Sequence, residues 1–84
     1  MNLEAGDQIQ LSDGHTYLFL FAFKYHDQEY LMFSSKENED VFRLGRYTKQ
    51  DGQDSITFIF DENRIKEIND YLNQHPELTP NPAQ

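Results

Sequence analysis

Eighty-four residues allow one small domain, which has a thin hydrophobic core and correspondingly modest stability. The chain has no cysteine, which excludes disulfides and thiolate metal sites and favours a reducing compartment. Fifteen acidic residues against seven Lys and Arg give a formal net charge of −8, so the chain repels phosphate groups. We therefore expect it to bind neither nucleic acid nor an anionic membrane.

The start of the chain carries no targeting signal that can be recognised. Residues 1–7 have no basic region and no apolar stretch, so they do not resemble a signal peptide. The longest apolar run is residues 17–23, far short of the roughly 20 residues that a spanning helix needs. The sequence therefore predicts a cytoplasmic protein.

Turn residues divide the first part of the chain into segments rich in aromatic and β-branched side chains. Asp13-Gly14, His26-Asp27 and Asp51-Gly52 are typical turn pairs, and residues 34–40 form a polar loop. This spacing predicts an antiparallel meander of five strands, at residues 7–12, 16–24, 29–34, 41–48 and 55–60.

The segment after the fifth strand has the period of a helix. Asp61 is an N-cap residue and Glu62 places a negative charge in the first turn, whereas Pro76 ends the helix. The sequence therefore predicts a helix over 62–74 and an α+β fold, with one domain over 1–75 and a disordered tail over 76–84. The apolar stripe of this helix is Ile65, Ile68, Tyr71 and Leu72.

Two short turns would fix the register of the first two hairpins. Asp13-Gly14 and His26-Asp27 are interpreted as two-residue turns. The first hairpin then pairs Leu11 with Thr16 and Ile9 with Leu18, and the second pairs Phe23 with Tyr30, Phe21 with Met32 and Leu20 with Phe33.

With this register, both faces of the predicted sheet are apolar. One helix is too narrow to cover a five-stranded sheet and cannot reach its second face, so either the sheet curls into a half-barrel or a partner covers it. We expect a homodimer, since two-fold dimers are the commonest soluble oligomers. The aromatic face that forms the predicted interface is Tyr17, Phe19, Phe21, Phe23, Tyr30 and Met32.

The pattern from the third strand onward resembles the YrzB-like family. It runs from Tyr30-Leu31-Met32-Phe33 through an acidic loop, Val41 to Tyr47 and Gly52, to Asp61-Glu62-Asn63 at the start of a helix. The resemblance covers most of residues 7–74, but this chain lacks a tryptophan in the C-terminal helix and a strongly acidic N-terminus. It implies a small acidic bacterial protein of the cytoplasm, and it implies no activity.

Acidic loops provide two alternative functions. A basic protein partner could bind them, in which case the chain is an acidic regulator or a nucleic-acid mimic. A divalent cation could bind them together with Asp13 and His15, as in a metal sensor or enzyme, although no EF-hand spacing is present. No catalytic motif is found, so we expect a non-enzymatic interaction module without a cofactor. The acidic-surface candidates are Glu37, Glu39, Asp40, Asp61 and Glu62.

Overall fold

The computed structural model describes residues 3–11, 13–38 and 40–78. Its five strands form one antiparallel sheet in which each strand pairs with the next along the chain. The predicted α+β meander with a C-terminal helix is confirmed, and no predicted strand end is displaced by more than two residues. The elements are β1 (Gln8–Gln10), β2 (Thr16–Tyr25), β3 (Gln28–Ser35), β4 (Phe42–Gln50), β5 (Gln53–Phe58), α1 (Glu62–Gln74) and a 3-10 helix (Pro76–Leu78).

Helix α1 has the predicted bounds and the predicted cap. The Asn63 N–H donates to the Asp61 carboxylate over 3.0 Å, which satisfies one of the free donors of the first turn. Ile68 and Leu72 are buried, and the rest of the predicted stripe packs around them. The predicted disordered tail begins with an ordered turn, because Leu78 packs against the same cluster. Residues 79–84 lie outside the described part of the chain.

The register predicted for the first hairpin is wrong by one residue. Gly14 has φ 84° and donates to the Leu11 carbonyl oxygen over 2.9 Å, and the Leu11 N–H donates to the His15 carbonyl oxygen over 3.1 Å. Leu11 therefore opposes His15, and Ile9 opposes Tyr17. An Asp-Gly pair fits both a two-residue turn and a longer loop with a glycine bulge, and here the glycine bulge forms.

The turn predicted for the second hairpin is confirmed. His26 (φ 53°) and Asp27 (φ 64°) both have positive φ, as a two-residue type I′ turn requires. The pairs Phe23 with Tyr30 and Phe21 with Met32 form as predicted.

Farther along the same hairpin, a β-bulge changes the register. The shift falls between Phe19 and Phe21, so Phe19 opposes Phe33, and the predicted pair of Leu20 with Phe33 is wrong. An extra residue in one strand reverses the side-chain alternation beyond it. Tyr17 and Phe19 therefore lie on the opposite face from Phe21, and the prediction of one continuous aromatic face is wrong.

Each face of the sheet carries its own hydrophobic cluster. The helix-side cluster has the buried residues Phe23, Tyr25, Tyr30, Leu44, Ile68 and Leu72. The concave cluster, on the other face, has the buried residues Tyr17, Phe19, Leu31 and Phe33, surrounded by Leu3, Ile9, Leu11, Tyr47, Ile56 and Phe58. Neighbouring residues of β3, such as Tyr30 and Leu31, alternate between the two clusters, as side chains in a strand must.

The sheet curls around the concave cluster. In a flat sheet, β2 and β5 would be three strand spacings apart, or about 14 Å. The ring centroids of Tyr17 in β2 and Phe58 in β5 are only 5.3 Å apart. The sheet is therefore a half-barrel that covers its own second face, which was one of the two arrangements expected from the sequence.

Gly45 makes part of this curl possible. A Cβ atom at Gly45 would lie 2.7 Å from Ile56 Cγ2 and 3.4 Å from Phe33 Cε2. Contacts below 3.0 Å require the neighbours to move, so a larger residue at this position would force the Ile56 side chain out of its place.

Candidate functional site

The six residues predicted as an interface divide between the two clusters. Four are at most 6% exposed and pack inside the chain: Tyr17, Phe19, Phe23 and Tyr30. Because these side chains are already covered, they are not exposed to a partner. Phe21 and Met32 are half-buried, and both line a groove on the helix side of the sheet.

This apolar groove has a volume of about 330 Å³. It lies between the start of β4, the segment before α1 and α1 itself. Its rim carries two strongly exposed aromatic rings, Phe42 at 58% and Phe60 at 68%. The complete lining is Leu20, Phe21, Met32, Phe42, Arg43, Leu44, Ile59, Phe60, Ile65 and Asn69.

The two rim residues were missed by the sequence prediction. Phe42 and Phe60 stand near the ends of the predicted strands, where the pattern cannot distinguish a core residue from an exposed one. One signal was present: Phe60 precedes the N-cap Asp61, and Ile65 is four positions into the helix. These are the two positions of a hydrophobic staple, which predicts that Phe60 lies near the first turn of α1.

The acidic-surface candidates do not meet at one point. Asp61 caps α1, and Glu62 is exposed in its first turn. The Asp40 N–H donates to the Asn38 side chain over 3.1 Å, and Glu39 lies outside the described residues. Glu37 Oε1 is 3.1 Å from His15 Nδ1, so the β1–β2 and β3–β4 loops do come together at one end of the sheet.

A metal site would need more ligands than this pair supplies. Among residues 3–11, 13–38 and 40–78, no group of three or more His, Asp or Glu side chains could hold an ion. The Asp13 carboxylate instead accepts hydrogen bonds from the His15 N–H over 2.8 Å and from the Tyr17 hydroxyl over 2.7 Å. Its geometry is that of a turn-stabilising residue.

A second concavity lies between the two outer strands of the half-barrel. This edge cleft has a volume of about 730 Å³ and is more polar than the groove. Gln10, Leu11 and Asp13 line it from the side of β1, and β5 lines it from the other side. The β5 side consists of Asp54, Ser55, Ile56, Thr57 and Phe58, with Phe60 beyond the strand end.

Both carboxylates of the edge cleft accept a hydrogen bond from a tyrosine. The His15 N–H and then the Tyr17 hydroxyl lower the pKa of Asp13 from its ordinary value, which keeps this group ionised. The Tyr47 hydroxyl donates to Asp54, and this bond raises the pKa of Tyr47 to about 12. Asp13 therefore contributes a negative charge to the cleft at neutral pH.

Neither helix in the described part of the chain is long and apolar enough to cross a membrane. Comparison with known proteins gives no match to a family model, a curated protein or a solved structure.

Proposed function

We propose that this chain is a non-enzymatic protein-interaction module that self-associates through the apolar groove. The observation that carries the proposal is the exposure of Phe42 and Phe60, at 58% and 68%, on the rim of an apolar concavity. Exposed apolar patches with a concave centre are typical of protein-interaction sites. This surface replaces the fully aromatic sheet face that the sequence predicted, and it retains Phe21 and Met32 from that prediction.

The groove is suited to binding a second copy of the chain, because the same surface carries both the apolar cavity and the two aromatic rings that project from its rim. A two-fold contact places one patch against an identical patch, so the surface must be complementary to itself. The rings of Phe42 and Phe60 on one copy can enter the groove of the other, and those of the second copy can enter the first. None of the residues that line the groove is acidic, so the contact does not bring carboxylates of the two linings together.

The polar lining of the groove supports an interaction role over catalysis. Its two polar members are Arg43 and Asn69, and neither side chain is a nucleophile or a general acid–base at neutral pH. The proposal includes a bacterial cytoplasmic location and membership of the YrzB-like family. The absence of cysteine and the motif from Tyr30 to Asn63 support these two points.

Light scattering coupled to size-exclusion chromatography tests the proposal. We expect the unmodified chain to show the mass of two chains at high micromolar concentration. Phe42→Asp and Phe60→Asp should each give one chain, because a carboxylate cannot enter an apolar groove without loss of hydration.

Thr48→Asp is the matched control. Thr48 is exposed on β4 outside the groove, so this variant adds the same charge and should leave the dimer intact. Circular dichroism should show the same fold for all variants, because each altered side chain is exposed. A single-chain mass for the unmodified protein, or a dimer that survives Phe42→Asp, would overturn the proposal.

A further inference from the structure

The edge cleft is bounded by two strands that, within the described residues, pair with a neighbouring strand on one side only. In the order β1-β2-β3-β4-β5, the outer strands are β1 and β5, and both contribute to the lining of this cleft. A strand edge with free N–H and C=O groups is a template for another extended chain. Which groups face the cleft follows from the register.

On β5, every second residue turns its backbone groups away from β4. The turn at 51–52 has two positive φ values, 54° and 80°, so Gln50 and Gln53 close it as a hydrogen-bonded pair. In the same register, the Ile59 N–H donates to the Leu44 carbonyl oxygen over 2.9 Å. Because bonded pairs alternate along an antiparallel ladder, the residues with outward backbone groups are Asp54, Ile56 and Phe58.

The same argument applies to β1. The Leu11 N–H donates to the His15 carbonyl oxygen, and the Phe19 N–H donates to the Asp7 carbonyl oxygen over 2.9 Å. The alternation between these two bonded positions leaves the backbone groups of Gln8 and Gln10 facing away from β2. However, β1 has three residues and β5 has six, so β5 is the longer template.

The side chains around this edge specify what it would accept. Leu11, Ile56 and Phe58 supply apolar surface that is continuous with the concave cluster. Asp13 and Asp54 supply a carboxylate on each side of the cleft. Natural edge strands are commonly blocked by Lys or Pro, and β5 contains neither.

We propose that the β5 edge binds an extended segment of a basic protein partner, which adds a sixth strand in the edge cleft. Backbone hydrogen bonds to Asp54, Ile56 and Phe58 hold the segment, and its alternate apolar side chains cover the concave cluster. Lys or Arg at the ends of the segment pairs with Asp13 and Asp54. A second copy of this chain is a poor occupant, because it would bring its own Asp54 and a net charge of −8 to a negatively charged cleft.

The probe is a fluorescent peptide in which Val and Thr alternate and each end carries Lys. Fluorescence anisotropy should show saturable binding to the full chain. An analogue methylated on alternate backbone nitrogens should bind at least about tenfold more weakly, because β-addition depends on main-chain hydrogen bonds. Hydrogen exchange should show new protection of the Ile56 and Phe58 amides in the complex.

Matched variants separate this site from others on the chain. Asp54→Lys should weaken binding by at least about tenfold, whereas Asp70→Lys makes the same charge change at an exposed helix position outside the cleft and should have a smaller effect. Phe42→Asp should leave peptide binding unchanged, so failure of the groove proposal does not affect this result.

Four outcomes would overturn the inference. They are absence of saturable binding, equal binding of the methylated analogue, no added protection at Ile56 and Phe58, and a dimer that Asp54→Lys dissociates while Phe42→Asp does not. The last result would show that a second copy occupies the edge.

Discussion

Three of the tyrosine hydroxyls donate to carboxylates, and one of these bonds joins parts of the chain that are distant in sequence. Tyr25 reaches Glu67 on α1 over 2.5 Å and so fixes the end of β2 to the helix. Tyr47 on β4 reaches Asp54 on β5. Each hydrogen bond is made by the neutral phenol, so the acceptor raises the pKa of its tyrosine.

The Tyr47 bond leads to a prediction at alkaline pH. The folded pKa of about 12 exceeds the ordinary value of 10.0, so the folded state holds the proton more tightly. The resulting stabilisation is complete below pH 10 and is lost as pH rises through about 12. In a titration followed by tyrosinate absorbance, Asp54→Asn should move one tyrosine back toward the ordinary value.

Asp51→Asn is the control for this titration. It removes one negative charge from the adjacent turn without removing the hydrogen bond to Tyr47, and Asn tolerates the positive φ at this position. Identical titration curves for Asp54→Asn and the unmodified chain would show that the bond has no effect on Tyr47.

At the scale of the element, the stability of helix α1 depends on the N-cap residue that precedes it. Asp61→Ala removes the acceptor for the Asn63 N–H and should lower the free energy of unfolding by about 1 kcal/mol. Asp61→Asn keeps an acceptor oxygen and should cost much less. Urea unfolding measures both, and equal losses for Ala and Asn would indicate that charge, rather than capping, accounts for the role of Asp61.

The elements differ in how far the sequence predicts them. The helix was predictable to the residue, because the N-cap, the apolar stripe and the proline all indicate the same bounds. The strands were predictable as elements, but their faces were not. The bulge near Leu20 has no glycine or proline to mark it, and Gly14 permits two loop lengths, so local sequence does not determine either register.

The candidate site was the least predictable part of the molecule. Whether Phe19 or Phe21 reaches the surface depends on the bulge, and whether Phe58 meets Tyr17 depends on the curl. Both are properties of the folded, curled sheet rather than of the local sequence. The exposed rings of Phe42 and Phe60 have the composition of core residues, and only the three-dimensional arrangement leaves them uncovered.

At the scale of the whole molecule, the net charge of −8 has opposite effects on the two proposed contacts. It favours binding of a basic peptide at the edge cleft and opposes association of two copies through the groove. Added salt screens the attraction of a basic peptide to Asp13 and Asp54, so peptide binding should weaken as salt rises. Salt also screens the repulsion between two copies, so association through the groove should strengthen. Anisotropy and light scattering across one salt series measure the two effects, and a change in the same direction for both would contradict this assignment.

The strand order also has a consequence for synthesis of the chain. Every strand pairs with its immediate neighbour in sequence, so each hairpin can form as soon as its second strand is available, and such local contacts favour rapid folding. Helix α1, which covers the strand residues of the helix-side cluster, is made after all five strands. During translation, the strand residues of this cluster therefore remain uncovered until Ile68 and Leu72 are made; they are Phe23, Tyr30 and Leu44. A nascent chain is most exposed to misassociation during this interval.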